Sequence, residues 1–131
     1  MIKVCGYNYC NQLGEKSNNT SCYNDQIISP PVNFRINPSS LLSYSCQGDH
    51  AVIVTRKNEL QGVGDNSDGQ ISVSLSREQI SEFRSFSIKD SSGRSLVPVS
   101  AVCSYYCTLY KASSESESEE HLFISYQGLT G

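Results

Sequence analysis

Gly64-Asp65-Asn66-Ser67-Asp68-Gly69-Gln70-Ile71-Ser72 restates the earlier stretch Gly6-Tyr7-Asn8-Tyr9-Cys10-Asn11-Gln12-Leu13-Gly14. Glycine, asparagine, glutamine and an aliphatic residue recur at the same internal spacing. Gly6 recurs as Gly64, Asn8 as Asn66, Gln12 as Gln70 and Leu13 as Ile71, all at one offset. Self-similarity at such a period marks a repeat in which each copy is one supersecondary unit, unable to bury its apolar face alone. The two corners fall near residues 4–14 and 60–72.

Working outward, a second pair keeps nearly the same step. Ser45-Cys46-Gln47-Gly48-Asp49-His50 leads into the apolar run Ala51-Val52-Ile53-Val54. Further along, Ala101-Val102-Cys103-Ser104-Tyr105-Tyr106 leads into Cys107-Thr108-Leu109-Tyr110. A hydrophilic turn and a short apolar run follow each: Leu60 to Val63 in the first, Leu122 to Ile124 in the second. The intervening loop of the second copy, 112–121, is longer and acidic, and repeat arrays take insertions in loops.

Both units read as β. Short apolar or alternating runs bounded by turn residues predict strands over Leu41–Cys46, Ala51–Thr55, Leu60–Val63, Phe86–Ile88, Leu96–Cys103 and His121–Tyr126. Asn58 marks one hairpin turn. Asp90-Ser91-Ser92-Gly93 marks another, with Gly93 free to take a positive φ. Gln26 to Pro38 holds three prolines and reads as an extended connector or edge segment. Ser76 to Phe83 predicts one short helical turn, with Ser76 as cap and Gln79 three residues on.

Composition narrows the class. A chain of 131 residues holds one small domain, and a hydrophobic fraction of 37% lies above the disordered range. The net charge is −3 and the ten Lys and Arg residues are scattered, so the clustered positive field that nucleic acid or anionic membrane requires is missing. No apolar run reaches the length of a membrane span. Met1-Ile2-Lys3-Val4-Cys5-Gly6 lacks the charged and apolar regions of a signal peptide, which points to an intracellular protein with reduced thiols. The cysteines are Cys5, Cys10, Cys22, Cys46, Cys103 and Cys107. Neither Cys5 with Cys10 nor Cys103 with Cys107 has the two-residue spacing of a zinc knuckle, and Cys46, Cys103 and Cys107 lie in strand-like stretches as small core residues.

The Gly-x-Asn-x-x-Asn/Gly-Gln-Leu/Ile corner follows a Gly-x-x-His-like turn and an apolar strand. With Gln47 to His50, Ala51 to Thr55 and Gly64 to Ile71 in those places, the chain resembles the repeat of the regulator of chromosome condensation family. The resemblance implies an all-β fold: about two four-stranded antiparallel blades of a nominally seven-bladed β-propeller. It also implies that Gly6 and Gly64 sit at strand-to-loop corners. Asn8, Asn66, Gln12 and Gln70 would tie the turns to backbone, and His50 would be a structural side chain at a strand start. The sequence departs from the family at Gln47 (usually Gly), at Tyr106 (where a second His is expected) and at Ser72 (a closing Gly). Ser125-Tyr126-Gln127-Gly128 echoes the corner only loosely.

No catalytic, cofactor or metal site emerges. His50 has no partner in sequence, and adjacent Asp49 would point to the opposite face of a strand. Gly62-x-Gly64 lacks the third glycine of a phosphate loop, and Asp65 to Gly69 lacks the spaced ligands of a calcium loop. Ser113 to Glu120 is a low-complexity acidic run whose acid-flanked serines suit phosphorylation. The sequon-like Asn18 to Ser21 has no meaning without secretion. The expectation is a non-catalytic scaffold that binds a protein through loops on one face of a repetitive core. The alternative is part of a nucleotide-exchange regulator of a small Ran-like GTPase, which two divergent repeats supply only in part. A disulfide-stapled secreted domain is the third class. Seven blades of this period need on the order of 400 residues, so the chain is expected to be a piece of a longer array, needing further blades or a second chain to cover its faces.

Overall fold

The computed structural model describes residues 3–7, 10, 27–33, 36–114 and 120–125. Nine strands run through them: β1 (Lys3–Tyr7), β2 (Ile27–Asn33), β3 (Leu41–Gln47), β4 (His50–Thr55), β5 (Leu60–Asp65), β6 (Gln79–Phe86), β7 (Val97–Cys103), β8 (Thr108–Ser113) and β9 (Glu120–Ser125). The only helical element among the described residues is a 3-10 turn, Pro38–Ser40, capped by the Asn37 carboxamide, which accepts from the Ser39 N–H at 3.1 Å. The protein is all-β.

Every pairing is antiparallel, in three meandering sheets: β1-β2, β3-β4-β5-β6 and β7-β8-β9. Among the described residues the sheets hold two, four and three strands, the second with the four expected of a blade, and they are not closed into a ring.

The pairing registers carry a regularity. Cys46 faces Ala51 and Cys103 faces Thr108, so one and the same step leads from 46 to 103 and from 51 to 108. That step also carries the register shift of β3, between Leu41 and Ser43, onto the shift of β7, between Pro98 and Ser100. The β1-β2 pair behaves likewise. Its shift between Val4 and Gly6 matches the shift between Gly62 and Gly64 in β5, at the offset by which Gly6 recurs as Gly64. The step from 51 to 108 puts Cys107, not Tyr106, in the place of His50.

Two sequence expectations are corrected. Where a helical turn is expected over Ser76–Phe83, residues 76–78 end the loop and residues 79–83 start β6. Gln79 and Ile80 pair with Asp65 and Gly64, and Ile80 is fully buried, so cross-strand pairing and burial override a local capping signal. Of the strand expected over Phe86–Ile88, only Phe86 belongs to that same element. β6 ends at Phe86, and Ile88 uses its carbonyl to hold Leu96 N–H at 2.9 Å. Of the proline-rich segment, Ile27–Asn33 is extended, as expected, whereas Pro38 opens the 3-10 turn. Pro30 and Pro31 lie in β2 between the pairs Ile28–Gly6 and Val32–Val4, where the ladder slips and donors are not required. The sequon-like stretch at Asn18 and residues 115–119 of the acidic loop lie outside the described residues, while the ends of that loop, 112–113 and 120–121, belong to β8 and β9.

The core sits between the second and third sheets. Val52, Val54 and Leu60 from one side meet Ala101, Cys103 and Tyr110 from the other, with Ile71 and Ile80 between them. Phe86 closes an edge against the Tyr110 ring, centroids 5.7 Å apart in a T-shaped pair. β7 packs against β3 and β4. Hydroxyls of β3 span the junction: Ser45 Oγ accepts from Cys103 N–H at 2.9 Å, and Ser43 Oγ accepts from Ala101 N–H at 3.4 Å. β4 is buried on both faces, since Ala51 and Ile53 are as inaccessible as Val52 and Val54.

Candidate functional site

The corner after β5 is built by one side chain. Asn66 is fully buried, and its Oδ1 accepts from the N–H groups of Ile71 (2.9 Å) and Ser72 (3.0 Å). Its Nδ2 donates to the carbonyls of Ser72 (2.9 Å) and Ser76 (3.0 Å). An amide offers two acceptor and two donor sites, and here all four serve loop backbone that no strand satisfies. Gly64 permits the corner. Its φ is +105°, and a Cβ there would run into the Asp49 carbonyl and His50 Cα. Asp65 N–H donates to that same Asp49 carbonyl at 2.8 Å, tying the corner to the β3-β4 turn. Gln70 Oε1 accepts from Asp68 N–H at 2.9 Å. Asn66 and Gln70 thus both bind loop backbone; Asn8 and Gln12 lie outside the described residues.

The third sheet reads this corner through buried hydroxyls. Thr108 Oγ1 donates to the Gln70 carbonyl at 2.7 Å, and the Tyr110 hydroxyl donates to the Ile71 carbonyl at 2.5 Å. His50, the first residue of β4, is fully buried with Nε2 2.9 Å from Thr108 Oγ1. Burial pushes its imidazole down to about 4, against smaller opposing pulls from the Cys107 backbone and the Asp65 carboxylate. Nδ1 has no hydrogen-bond partner. A neutral, enclosed imidazole bonded to a threonine is an anchor between sheets.

Cys10, Asp49 and Asp65 bring a thiol and two carboxylates within 4.8 Å of one another. Local spacing does not reveal this cluster, because Cys10 is far along the chain from both aspartates and meets them only through the corner. Burial first, then the two carboxylates, push the Cys10 thiol up to about 12. Asp65 Oδ1 is occupied by Ser67 N–H at 2.9 Å in an Asx turn. The cluster is a protonated thiol packed against a turn.

Accessible chemistry lies at the same end of the sheets. The β7-β8 turn carries Tyr105 and Tyr106, 63% and 73% exposed, with ring centroids 6.4 Å apart. Tyr105 leans over the β3-β4 turn, where a Cβ on Gly48 would come within 3.1 Å of its ring and 3.2 Å of its carbonyl. Val73, 58% exposed, projects from the corner loop after Ser72. Three connections, 48–49, 66–78 and 104–107, thus gather at one end. The opposite end has a cleft of about 330 Å³ between the sheets, lined by Asn58, Leu60, Phe86, Ile88, Leu96 and Pro98 among others. Asn58, at φ 58°, bridges it with Nδ2 donating to the Pro98 carbonyl at 3.0 Å. The sequence identified Asn58 as a turn residue and missed the tyrosine pair, which two adjacent aromatic residues ahead of a strand do not by themselves reveal.

Compared with protein-family models and with curated proteins, the chain matches none. Among the described residues no helix is long and apolar enough to cross a membrane.

Proposed function

We propose that this chain is a non-catalytic protein-binding scaffold assembled from propeller-type repeat units, of the kind the regulator of chromosome condensation family uses. The recurring registers, with their shifts at matching places, support the repeat reading. The binding surface is the loop-bearing end, centred on Tyr105 and Tyr106.

One observation carries this. Two neighbouring tyrosines stand mostly in solvent on a turn seated against Gly48, while the polar groups beneath them are largely consumed by the fold itself. Tyrosine supplies large, rigid contact area at low entropic cost, and exposed aromatic anchors mark interfaces. The buried His50 is unavailable to a substrate, which supports a binding role over a catalytic one.

The test compares proteins recovered from cells by the wild-type chain with those recovered by a Tyr105→Ser, Tyr106→Ser double variant of unchanged circular dichroism. A partner lost only with the tyrosines supports the reading; identical recoveries overturn it. If the partner is a small GTPase, accelerated GDP release separates an exchange regulator from a passive scaffold.

A further inference from the structure

The tyrosine turn stands in an acidic neighbourhood. Tyr105 leans over the β3-β4 turn, its ring 3.1 Å from the Cβ position of Gly48, and the next residue, Asp49, is exposed. The Asp49 and Asp65 carboxylates lie within 4.8 Å of one another. Asp68 follows in the corner loop, half-buried. Among the described residues no cation lies within ion-pair distance of these aspartates. Glu78, near the end of that loop, is already matched by Arg84 at 3.5 Å. Arg77 is the one basic residue in the connections 48–49, 66–78 and 104–107, and its guanidinium rests over Gly69. The other exposed cations of the second sheet and its following loop stand at the opposite end: Arg56 and Lys57 in the β4-β5 turn, Lys89 and Arg94 after β6.

We propose that the tyrosine surface takes an arginine-bearing segment of a partner protein, with guanidinium groups set against the Tyr105 and Tyr106 rings and the Asp49 and Asp65 carboxylates. The face of an aromatic ring carries negative potential and draws a cation. Arginine stacks flat on such a face while its fork of N–H groups meets a carboxylate. Both attractions are available to one guanidinium here, because the ring over Gly48 and the carboxylate of Asp49 are neighbours. Two carboxylates as close as those of Asp49 and Asp65 also repel each other, and an incoming cation offsets that repulsion. A nucleic acid or an acidic peptide meets like charge at the same place and is turned away. Lysine brings the charge without the planar fork, so it is the weaker occupant. The inference rests on the proposed binding function and adds the chemistry of the partner to it.

Fluorescence anisotropy with labelled peptides of equal length, alternating arginine–glycine, lysine–glycine or glutamate–glycine, tests it on the full chain. The arginine peptide is expected to bind best, the lysine peptide more weakly and the glutamate peptide not at all. Asp49→Asn with Asp65→Asn removes both charges and keeps the Asx turn, since an asparagine oxygen also accepts from Ser67 N–H. That variant and Tyr105→Ser with Tyr106→Ser should each weaken the arginine peptide at least about tenfold. Tyr105→Phe with Tyr106→Phe keeps the ring faces and should stay within about threefold of the wild type. Glu59→Gln with Glu120→Gln removes as much charge at the opposite end and should change nothing. Equal binding of the arginine and glutamate peptides overturns the proposal. So does arginine binding that survives the serine variant, or that falls as far with the glutamate variant as with the aspartate one. A cellular partner lost with the tyrosines, beside a wild type that ignores the arginine peptide, overturns the cation and leaves the proposed binding function standing.

Discussion

His50 Nε2 and Thr108 Oγ1 meet across two sheets at 2.9 Å, and the hydroxyl settles where the imidazole proton sits. Thr108 has one hydrogen, which it gives to the Gln70 carbonyl, an acceptor only. The bond to His50 must then run from Nε2–H to the threonine oxygen, leaving Nδ1 bare. Two residues far apart in sequence are joined by a chain that ends on the corner of the second sheet.

This geometry makes stability depend on pH in a definite direction. The His50 imidazole titrates at about 4 when folded and near 6.5 when unfolded, so unfolding takes up a proton between those values. Its contribution is intact above about pH 6.5 and falls away as the pH drops toward 4, by about 3 kcal/mol in all. Urea titrations across that window are expected to show a flatter pH dependence in His50→Gln than in the wild type, whatever the variant's absolute stability. Equal slopes would contradict the buried neutral imidazole.

Asn66→Ala strands four backbone groups of the corner: the Ile71 and Ser72 N–H groups and the Ser72 and Ser76 carbonyls. Water can reach some of them once the loop loosens, so the expected loss is about 3 kcal/mol, not the full sum of four unmet bonds. Asn66→Asp keeps both acceptors but loses both donors and buries a charge, and is expected to do no better. Denaturant midpoints measure both variants.

The sequence made the corner legible and left its surroundings obscure, for physical reasons. Gly64, Asn66 and Gln70 act within one short stretch of chain, so spacing alone exposes their joint role. His50 was placed at a strand start by its neighbours, but its partner Thr108 lies in another sheet. β6 was misread because Ser76 and Gln79 imitate a helix cap, and only the pairing of Ile80 with Gly64 reveals a strand. The tyrosine pair is a property of exposure, which depends on what packs where and not on local pattern.

Two glycines with positive φ should respond unequally to the same substitution. Gly64→Ala meets both an unfavourable φ of +105° and a collision with the Asp49 carbonyl, at the point where the corner joins the β3-β4 turn. A loss of about 3 kcal/mol is expected. Gly93, at φ +85°, has open space around its Cβ position, and Gly93→Ala should cost only the backbone term of about 1 kcal/mol. Matched losses would mean that the close approach at Gly64 is not what holds the corner.

Thiol reactivity should sort by burial. Of the three cysteines expected in the core, only Cys103 is buried, between the sheets. Cys46 is exposed on β3 and Cys107 half-buried, because their positions face away from the junction, while Cys10 is buried under the corner. Burial pushes the Cys103 thiol up to about 11 and the Cys10 thiol to about 12, so neither presents thiolate at neutral pH, and the thiolate is the species that alkylates. Iodoacetamide labelling followed by peptide mass analysis is expected to modify Cys46 within the folded state. Cys10 and Cys103 should react only as fast as the chain unfolds, and so in step with each other under mild denaturant. Cys10 reacting at the Cys46 rate in native buffer would show that the corner does not enclose it. Cys103 doing so would show that the second and third sheets part.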